Sequence, residues 1–357
     1  MKLIHCSDIH LGSALGQHYS PARAKVRNAE LCAAFSRLVR YAVREQVDAV
    51  LIAGDLFDTS HVSTQLTDFV LDQIRGASSV TFFYIRGNHD ESRDVFFARV
   101  LPGNLKTFGN RWESCRFGDA VITAMEPDGD GWKTMYDQLK LNKADLNIVM
   151  LHGQISSSPG AEQIALPLLR GKGIRYLALG HLHSYQKAPL DLEGEYCYCG
   201  CPEGRGFDEC GEKGFVLLET EDGRLRSRFV PFASRKLHEI CVDITDAETV
   251  TQIFSRMERA SADIASDDMV KFTLQGSYTL QTQKDPMLLQ KMLAPNFHLV
   301  KISDESHLKI RRESYEFDAS LKGEFIRTVL ASDRSEAEKE KIITCGIRAL
   351  SGQEVLL

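Results

Sequence analysis

The chain has 357 residues, 43% of them hydrophobic, and a formal net charge of -6 at pH 7. That length and composition allow one large hydrophobic core plus a second domain. No apolar stretch approaches the length of a transmembrane helix, and Asp8 and His10 lie where a signal peptide would need its apolar segment. Nine cysteines, an odd number in a chain too long to need disulfide staples, favour a reducing compartment. We therefore expect a cytoplasmic protein, neither secreted nor embedded in a membrane.

Five short apolar runs predict buried strands, and a polar cluster follows each of them. In an open α/β sheet, ligands bind at the carboxyl ends of the strands, which is where these clusters lie. The runs and the polar residues that follow them are 2–6 with Asp8 and His10, 49–53 with Asp55 and Asp58, 81–86 with Asn88, His89 and Asp90, 147–151 with His152, and 176–179 with His181 and His183. The strand ends therefore predict one shared polar site.

Helices and further strands are predicted between and after these runs from their apolar periodicity. In chain order they are helices from Pro21 to about Arg44 and over 65–75, a hairpin over 112–127, a helix over 163–170, and strands near 195–199, 214–219 and 225–230, the last two joined by a turn at Asp222-Gly223. Together the elements predict an α/β fold in which two sheets have helices on their outer faces.

The spacing within the polar clusters indicates metal ligation. In an extended segment residues i and i+2 point to the same side, so Asp8 and His10 can reach one point, and so can His181 and His183. The candidate ligands are Asp8, His10, Asp55, Asn88, His152, His181 and His183. This set is too large for one ion and predicts two divalent cations, which lie roughly 3.5–4 Å apart in two-metal hydrolytic sites. Two carboxylates would leave a surplus of about two positive charges, which suits a phosphate ester.

Each cluster also has a plainer interpretation. Asp55 or Asn88 alone could be a turn residue after a strand, and His152 alone could be a core histidine. Asp58 could orient a ligand or cap the next helix, and Asp90 has the same two interpretations. Because five independent strand ends agree, we favour the ligand interpretation for the set as a whole.

The motifs together resemble those of the calcineurin-like metallophosphoesterases: Asp-x-His, Gly-Asp-x-x-Asp, Gly-Asn-His-Asp, His-Gly and Gly-His-x-His. More narrowly, the segments 7–12, 54–58 and 87–90 are similar to those of the SbcD-type DNA repair exonucleases. The resemblance is strong over residues 1–235 and weaker beyond them. It implies a four-layer αββα sandwich with a small α+β capping domain and a C-terminal helical hairpin.

The resemblance also implies a role for each candidate residue. His89 would stand beside the phosphate, and the two ions would be manganese. We add Asp90, the neighbour of His89, as a second catalytic candidate. The implied ligands, with Asp55 bridging the ions, are Asp8, His10, Asp55 and His183 for one ion and Asp55, Asn88, His152 and His181 for the other.

A second domain is predicted where the pattern restarts near residue 235. Residues 1–235 would form the nuclease domain, 236–303 a small domain that resembles the family's capping domain, and 304–319 a polar linker. The tail, 320–357, carries two amphipathic helical stripes. Both stripes could pack on the capping domain, or they could form a hairpin that docks on a partner. The resemblance implies docking on the coiled-coil base of an SbcC-type ATPase.

A group of four cysteines could bind structural zinc: Cys197, Cys199, Cys201 and Cys210. Their spacing does not match the paired Cys-x-x-Cys knuckles of such sites. Residues 196–200 alternate like a strand, and residues 201–205 have the composition of a turn. We therefore favour a strand and a turn over a zinc site.

The sequence thus predicts a manganese-dependent phosphodiesterase acting on DNA, with an SbcC-type ATPase as partner; a homodimer is compatible with it. The net charge of -6 is the main objection, because DNA-binding surfaces are basic and the densest basic pair is Arg311-Arg312. Bound ions and a partner would supply positive charge. A small-molecule phosphodiesterase or phosphatase is one alternative, against which the capping domain and tail argue. A non-catalytic scaffold subunit is another, against which the full ligand set argues.

Overall fold

The computed structural model describes residues 1–16, 19–58, 62–90, 99–221, 223–279, 282–309 and 315–350. The chain divides into two compact units, Met1–Leu237 and His238–Leu357. Parts of three predictions lie outside the described residues: Asp222 of the hairpin turn, residues 310–314 of the linker with Arg311 and Arg312, and residues 351–357 of the tail. None of the described helices combines the length and the apolar composition that crossing a bilayer requires.

The first unit alternates strands and helices in the order that the sequence predicts. Its elements are β1 (Lys2–Cys6), α1 (Pro21–Arg44), β2 (Ala49–Ala53), α2 (Thr64–Gly76), β3 (Thr81–Ile85), β4 (Leu105–Thr107), β5 (Glu113–Phe117), β6 (Ala120–Ala124), α3 (Gly131–Gln138), β7 (Leu146–His152), β8 (Gln154–Ser156), β9 (Gln163–Ala165), β10 (Ile174–Gly180), β11 (Gln186–Pro189), β12 (Glu195–Tyr198), β13 (Gly214–Glu221) and β14 (Arg224–Pro231).

Two six-stranded sheets carry the first unit, in the orders β14-β13-β1-β2-β3-β4 and β11-β12-β10-β7-β6-β5. Strands β1 to β4 run parallel, as do β6, β7, β10 and β12. Parallel neighbours place their carboxyl ends at one edge of a sheet. The polar residues that follow β1, β2 and β3, and those that follow β7 and β10, are therefore gathered at the carboxyl edge of each sheet.

Apolar side chains hold these sheets between helices in four layers. Leu51 of β2 and Met150 of β7 belong to the core between the sheets, where they are fully buried. Leu38 of α1 and Val70 of α2 pack on the outer face of the first sheet, and Met135 of α3 packs on the second. Because each sheet buries both faces, its central strands are almost continuously apolar. The predicted αββα sandwich is confirmed.

Most predicted elements of this unit are confirmed, and one is wrong. The helices from Pro21 and over 65–75 are present, and the hairpin over 112–127 is the β5–β6 pair. The helix over 163–170 is absent, since β9 pairs in parallel with β8 there and a short 3-10 turn follows. Pro167 lies in that turn, where its missing N–H and fixed φ are tolerated. Helix α3 was not predicted, because its eight residues give too short a periodic signal.

The second unit has its own sheet and core. Its elements are β15 (Leu237–Asp243), α4 (Val250–Ala260), β16 (Met269–Gln275), β17 (Ser277–Tyr278), α5 (Pro286–Leu293), β18 (Leu299–Asp304), β19 (His307–Leu308), α6 (Leu321–Leu330) and α7 (Glu336–Leu350). The sheet order is β15-β16-β18. Ile253 and Met257 of α4 and Leu289 of α5 bury against Phe272 of β16.

The two C-terminal helices form a hairpin whose apolar stripes face each other. Ile326 and Val329 of α6 belong to the same buried cluster as Ile343 and Ile347 of α7, together with Leu308 and Tyr315. Ser320 caps α6, its side chain accepting from the backbone N–H of Gly323 at 3.2 Å. The stripes therefore stabilise the hairpin itself.

Candidate metal centre

Sharp turns follow the strands that carry the predicted ligands. The backbone φ angle is 53° at Asp8, 51° at His10, 52° at Asp55 and 113° at His181. Residues with a side chain rarely adopt such angles, and strain of this kind concentrates at functional sites. The backbone N–H of His181 donates to both oxygens of Asp8, at 3.0 and 3.1 Å, so the end of β10 holds the carboxylate that follows β1.

Two glycines leave room for the converging side chains. A Cβ atom at Gly87 would collide with the carboxylate of Asp55, and a Cβ at Gly180 would lie 2.8 Å from Nδ1 of His152. Both positions therefore need glycine for close approach and not for flexibility. This explains why glycine stands beside the polar residues after β3 and at the end of β10.

One group of predicted ligands lies around the ends of β1 and β10. Nε2 of His10 is 3.1 Å from Nε2 of His183, which is 3.7 Å from Oδ1 of Asp8. Ligand atoms of Asp8, His10 and His183 all lie within 4.8 Å of one another. Nε2 of His10 is also 3.7 Å from Oδ2 of Asp55.

A second group lies next to the first and shares Asp55 with it. Nε2 of His152 is 3.4 Å from Oδ2 of Asp55 and 2.9 Å from Oδ1 of Asn88. Nδ1 of His181 is 3.1 Å from the same Asn88 oxygen. Asp8, Asp55 and His152 also form a group whose ligand atoms lie within 4.8 Å of one another. The structure thus brings all the predicted ligands together, with Asp55 between the two groups.

Hydrogen bonds outside the centre orient the histidine rings. Nδ1 of His152 donates to the backbone oxygen of Ala53 at 2.9 Å, and Nδ1 of His183 donates to Oε1 of Glu209 at 2.6 Å. With the proton on Nδ1, a neutral ring presents the lone pair of Nε2 to the centre. This arrangement, in which an outer acceptor fixes the tautomer, is usual for histidines that bind metals.

The converging lone pairs require positive charge among them. Nε2 of His10 faces Nε2 of His183, and Nε2 of His152 faces the oxygens of Asn88 and Asp55. Acceptors brought this close repel one another unless a proton or a cation lies between them. Carboxylate, amide oxygen and imidazole are ligands of Mn²⁺, Fe²⁺ and Zn²⁺. The donor set therefore fits divalent cations.

Mutual charge shifts the pKa values of the pair that links the two groups. Burial alone would raise the pKa of Asp55, but the hydrogen bond and charge of His152, with the charge of His10, lower it to about 2. Burial alone would lower the pKa of His152, but its contact with Asp55 raises it to about 9. At neutral pH and without metal, Asp55 is therefore ionised and His152 carries a proton.

His89 lies beside the centre and is held by Asp58. Its Nδ1 is 2.6 Å from Oδ1 of Asp58, and its side chain is 46% exposed. Oδ1 of Asp58 is also 3.4 Å from Nδ1 of His10, and Arg205 donates to the other carboxylate oxygen at 3.0 Å. Helix α2 is capped by the side chain of Ser63 instead. Of the two interpretations of Asp58, these contacts support the orientation of other residues.

Asp90 is buried among backbone donors. Its side chain accepts hydrogen bonds from the N–H groups of Leu56 at 3.2 Å, Phe57 at 2.7 Å and Gly87 at 3.0 Å. Burial and the nearby charge of Asp55 raise the pKa of Asp90 to about 6. Asp90 thus links the turn after β2 to the turn after β3, the two turns that carry Asp55 and Asn88.

Glu209 and Arg205 belong to the site and were not predicted. Burial alone would raise the pKa of Glu209, but the hydrogen bond from His183 and the charge of Arg205 lower it well below the ordinary value. Cys201 lies against the same carboxylate, at 3.7 Å, and Cys210 donates to the oxygen of Phe207. Among the described residues, none of the groups that could hold a metal includes a cysteine.

Comparisons with known proteins agree with this geometry. Residues 1–185 match the calcineurin-like phosphoesterase family. The chain is 27% identical over 303 residues to the uncharacterized metallophosphoesterase YhaO of Bacillus subtilis, an alignment that covers 78% of this chain and 72% of that protein.

Two further relatives are named as a nuclease subunit and as a DNA repair protein. The chain is 29% identical over 280 residues to the SbcD component of the nuclease SbcCD of Escherichia coli, covering 64% of this chain and 67% of that protein. It is 24% identical over 281 residues to the DNA double-strand break repair protein Mre11 of Aeropyrum pernix, covering 71% of this chain and 66% of that protein. The alignments thus span about two thirds of the length of these two relatives.

Proposed function

This chain belongs to the calcineurin-like phosphoesterase family, and on that basis we propose that it is a two-metal phosphodiesterase that degrades DNA from its ends. The observation that carries the proposal is the position of Asp55. Its Oδ2 lies 3.7 Å from Nε2 of His10 and 3.4 Å from Nε2 of His152, so one carboxylate serves both ligand groups. A carboxylate that contacts two groups of nitrogen and oxygen ligands suits a pair of divalent cations.

Each ion would have its own set of ligands. The sets would be Asp8, His10, Asp55 and His183 for one ion and Asp55, Asn88, His152 and His181 for the other. When bound, the ions would polarise the phosphoryl oxygens and lower the pKa of an attacking water. The mixture of carboxylate, amide and imidazole ligands, with no thiolate among them, is compatible with manganese, the metal that the family resemblance implies.

The side chains around the centre have separate tasks in this proposal. His89 donates from Nδ1 to Asp58, and in its imidazolium form it would carry a second proton on Nε2 to give to the oxygen that departs from phosphorus. Asp58 orients that ring. Asp90 acts as a positioning residue, because its oxygens accept from backbone N–H groups of the two ligand-bearing turns.

DNA is the proposed substrate, for two reasons. The relatives SbcD and Mre11 are named for a nuclease and for double-strand break repair. In addition, the second unit has the β-α-β composition expected of a capping domain. The net charge of -6 is compatible with a polyanionic substrate if the ions supply the local positive charge.

A coiled-coil ATPase of the SbcC type is the proposed partner, bound through the α6–α7 hairpin. The inner stripes of the hairpin are buried against each other, so they are not the docking surface. Two leucines on these helices are exposed instead: Leu321 by 73% and Leu350 by 47%. Exposed leucines on neighbouring helices offer an apolar surface for a partner helix.

Three substrates test the proposed activity. Purified protein should be incubated with linear duplex DNA, covalently closed circular DNA and bis-p-nitrophenyl phosphate, each with Mn²⁺ and with EDTA. The proposal predicts Mn²⁺-dependent hydrolysis of linear DNA and of the generic diester, with closed circles left intact. Hydrolysis of the generic diester without any loss of linear DNA, in the presence of the ATPase, would indicate a small-molecule phosphodiesterase. The variant Asp55→Asn is the control for contaminating nucleases.

A further inference from the structure

Glu209 is a buried carboxylate that contacts a proposed metal ligand without being one. It is 4% exposed. Its Oε1 accepts from Nδ1 of His183 at 2.6 Å and from Nε of Arg205 at 2.9 Å. Its Oε2 accepts from the backbone N–H of Arg205 at 2.7 Å and lies 3.7 Å from Sγ of Cys201. One carboxylate oxygen thus accepts from His183, and the other accepts from the backbone of Arg205.

Arg205 connects Glu209 to a second carboxylate of the same kind. Its Nη1 donates to Oδ2 of Asp58 at 3.0 Å, and Oδ1 of Asp58 faces Nδ1 of His89 at 2.6 Å and Nδ1 of His10 at 3.4 Å. One guanidinium therefore holds two carboxylates, each of which faces the outer nitrogen of an imidazole. The guanidinium fork is rigid and always charged, which makes it suited to fixing two anions at once.

We propose that Glu209, Arg205 and Asp58, which are joined by hydrogen bonds, orient the ligands of only one of the two metal ions. That ion is the one that Asp8, His10 and His183 would hold. This inference rests on the proposed two-metal centre. It states that the histidine ligands of the two ions are oriented by different kinds of group. A free imidazole exchanges its proton between two nitrogens, and a carboxylate at Nδ1 keeps the lone pair on Nε2. Glu209 does this for His183 through a hydrogen bond, and the charge of Asp58 acts on the corresponding nitrogen of His10 from 3.4 Å.

The other metal position is oriented without either carboxylate. Nδ1 of His152 donates to the backbone oxygen of Ala53 at 2.9 Å, so the sheet itself fixes that ring. His181 faces the centre through Nδ1, which lies 3.1 Å from Oδ1 of Asn88, so the nitrogen that meets the ligands differs from that of His183. Loss of Glu209 should therefore leave the affinity of this position unchanged. The two positions should respond differently to one substitution.

The variant Glu209→Gln tests whether Glu209 orients the ring of His183 or only stabilises the backbone turn at Arg205. The amide keeps the size of the side chain but has one acceptor oxygen, so it cannot accept from both His183 and the backbone of Arg205. If its NH₂ group faces His183, the ring must accept at Nδ1 and carry its proton on Nε2, which a metal ion must then displace. Glu212, three residues later and 59% exposed in its side chain, gives the matched control Glu212→Gln.

The test is calorimetric titration of Mn²⁺ into the full chain, with melting temperature measured on each variant. We expect two ions per wild-type chain, and in Glu209→Gln one unchanged site and one weakened roughly 10- to 100-fold. Glu212→Gln should match the wild type. Two unchanged sites in Glu209→Gln, or two sites weakened equally, would overturn the inference. Fewer than two ions on the wild type would instead contradict the proposed function.

A second measurement needs no variant. Nitrogen-detected NMR of the metal-free wild-type chain at alkaline pH distinguishes the two tautomers of a neutral imidazole. The inference predicts that neutral His183 carries its proton on Nδ1. A proton on Nε2 would overturn the inference even if Glu209→Gln failed to fold.

Discussion

Oδ2 of Asp55 and Nε2 of His152 lie 3.4 Å apart, and they connect the two sheets of the sandwich. Asp55 follows β2 in one sheet and His152 ends β7 in the other. Because Nδ1 of His152 donates to the oxygen of Ala53, the gap between the two residues holds either a proton on Nε2 or a cation. Proton and metal therefore compete for one place.

This competition predicts that metal affinity depends on pH. Without metal, contact with Asp55 raises the pKa of His152 to about 9, so the ring is protonated at pH 7 and must lose its proton to bind a cation. Affinity for Mn²⁺ should rise as pH increases from 7 towards 9, by up to about tenfold per unit, and level off above. Titration calorimetry in two buffers of different ionisation enthalpy would measure the proton released. An affinity that is constant from pH 7 to 9 would rule out this competition.

Asp55→Asn removes the only carboxylate proposed to contact both ions. The amide keeps the volume of the side chain, so the fold should survive, while fewer than two ions bind and hydrolysis is nearly abolished. Elemental analysis of the purified variant, alongside a thermal melt, gives both results. Two tightly bound ions in a variant of normal activity would show that Asp55 is not the bridge.

His89→Ala separates chemistry from metal binding. His89 contacts Asp58 and is half exposed, and it is not needed to complete either ligand set. The variant should keep both ions and lose roughly 10²–10⁴ in rate, the usual contribution of a positioned acid or base. Metal content and turnover should be measured on the same preparation. A loss of metal would place His89 among the ligands, and normal turnover would remove it from the mechanism.

In the C-terminal hairpin we expect substitutions of buried residues to lower stability and substitutions of exposed residues to weaken partner binding. Ile343 is fully buried, so Ile343→Ala should cost about 2–5 kcal/mol of the hairpin's stability. Leu321 is 73% exposed, so Leu321→Glu should change the free energy of unfolding by no more than about 0.5 kcal/mol while weakening association with the ATPase.

The control for this prediction is another exposed leucine. Leu192, which is fully exposed in the first unit, gives Leu192→Glu with the same change of charge. Co-purification with an SbcC-type ATPase should be lost only for Leu321→Glu. Equal binding by both variants would mean that the hairpin does not dock through this surface.

The positions of the candidate ligands at the strand ends could be predicted because they are local properties of the chain. Each follows a short apolar run, and parallel strands gather their carboxyl ends at one edge, so Asp8 and Asp55 could be placed together without a structure. The spacing of His181 and His183 also predicted that both side chains point to the same side of an extended segment. The family assignment, drawn from these motifs, is confirmed by the match over residues 1–185.

The supporting residues could not be predicted, because tertiary contacts alone bring them to the site. Glu209 lies 26 positions after His183, in a loop with no periodic pattern. Arg205 and Asp58 are separated by 147 positions. Glu, Arg and Asp are common in solvated turns, so the residue types alone do not mark these positions as part of a site. In the same way, pairing with β8 decided the conformation at 163–165, where local apolar spacing suggested a helix.

Crystals soaked in MnCl₂ and measured at the manganese absorption edge test the two-metal centre most directly. We expect two anomalous peaks roughly 3.5–4 Å apart, with the carboxylate of Asp55 between them. One peak should lie against His10 and His183, and the other against His152 and His181. A single peak, or two peaks that do not share Asp55, would contradict the two-metal centre.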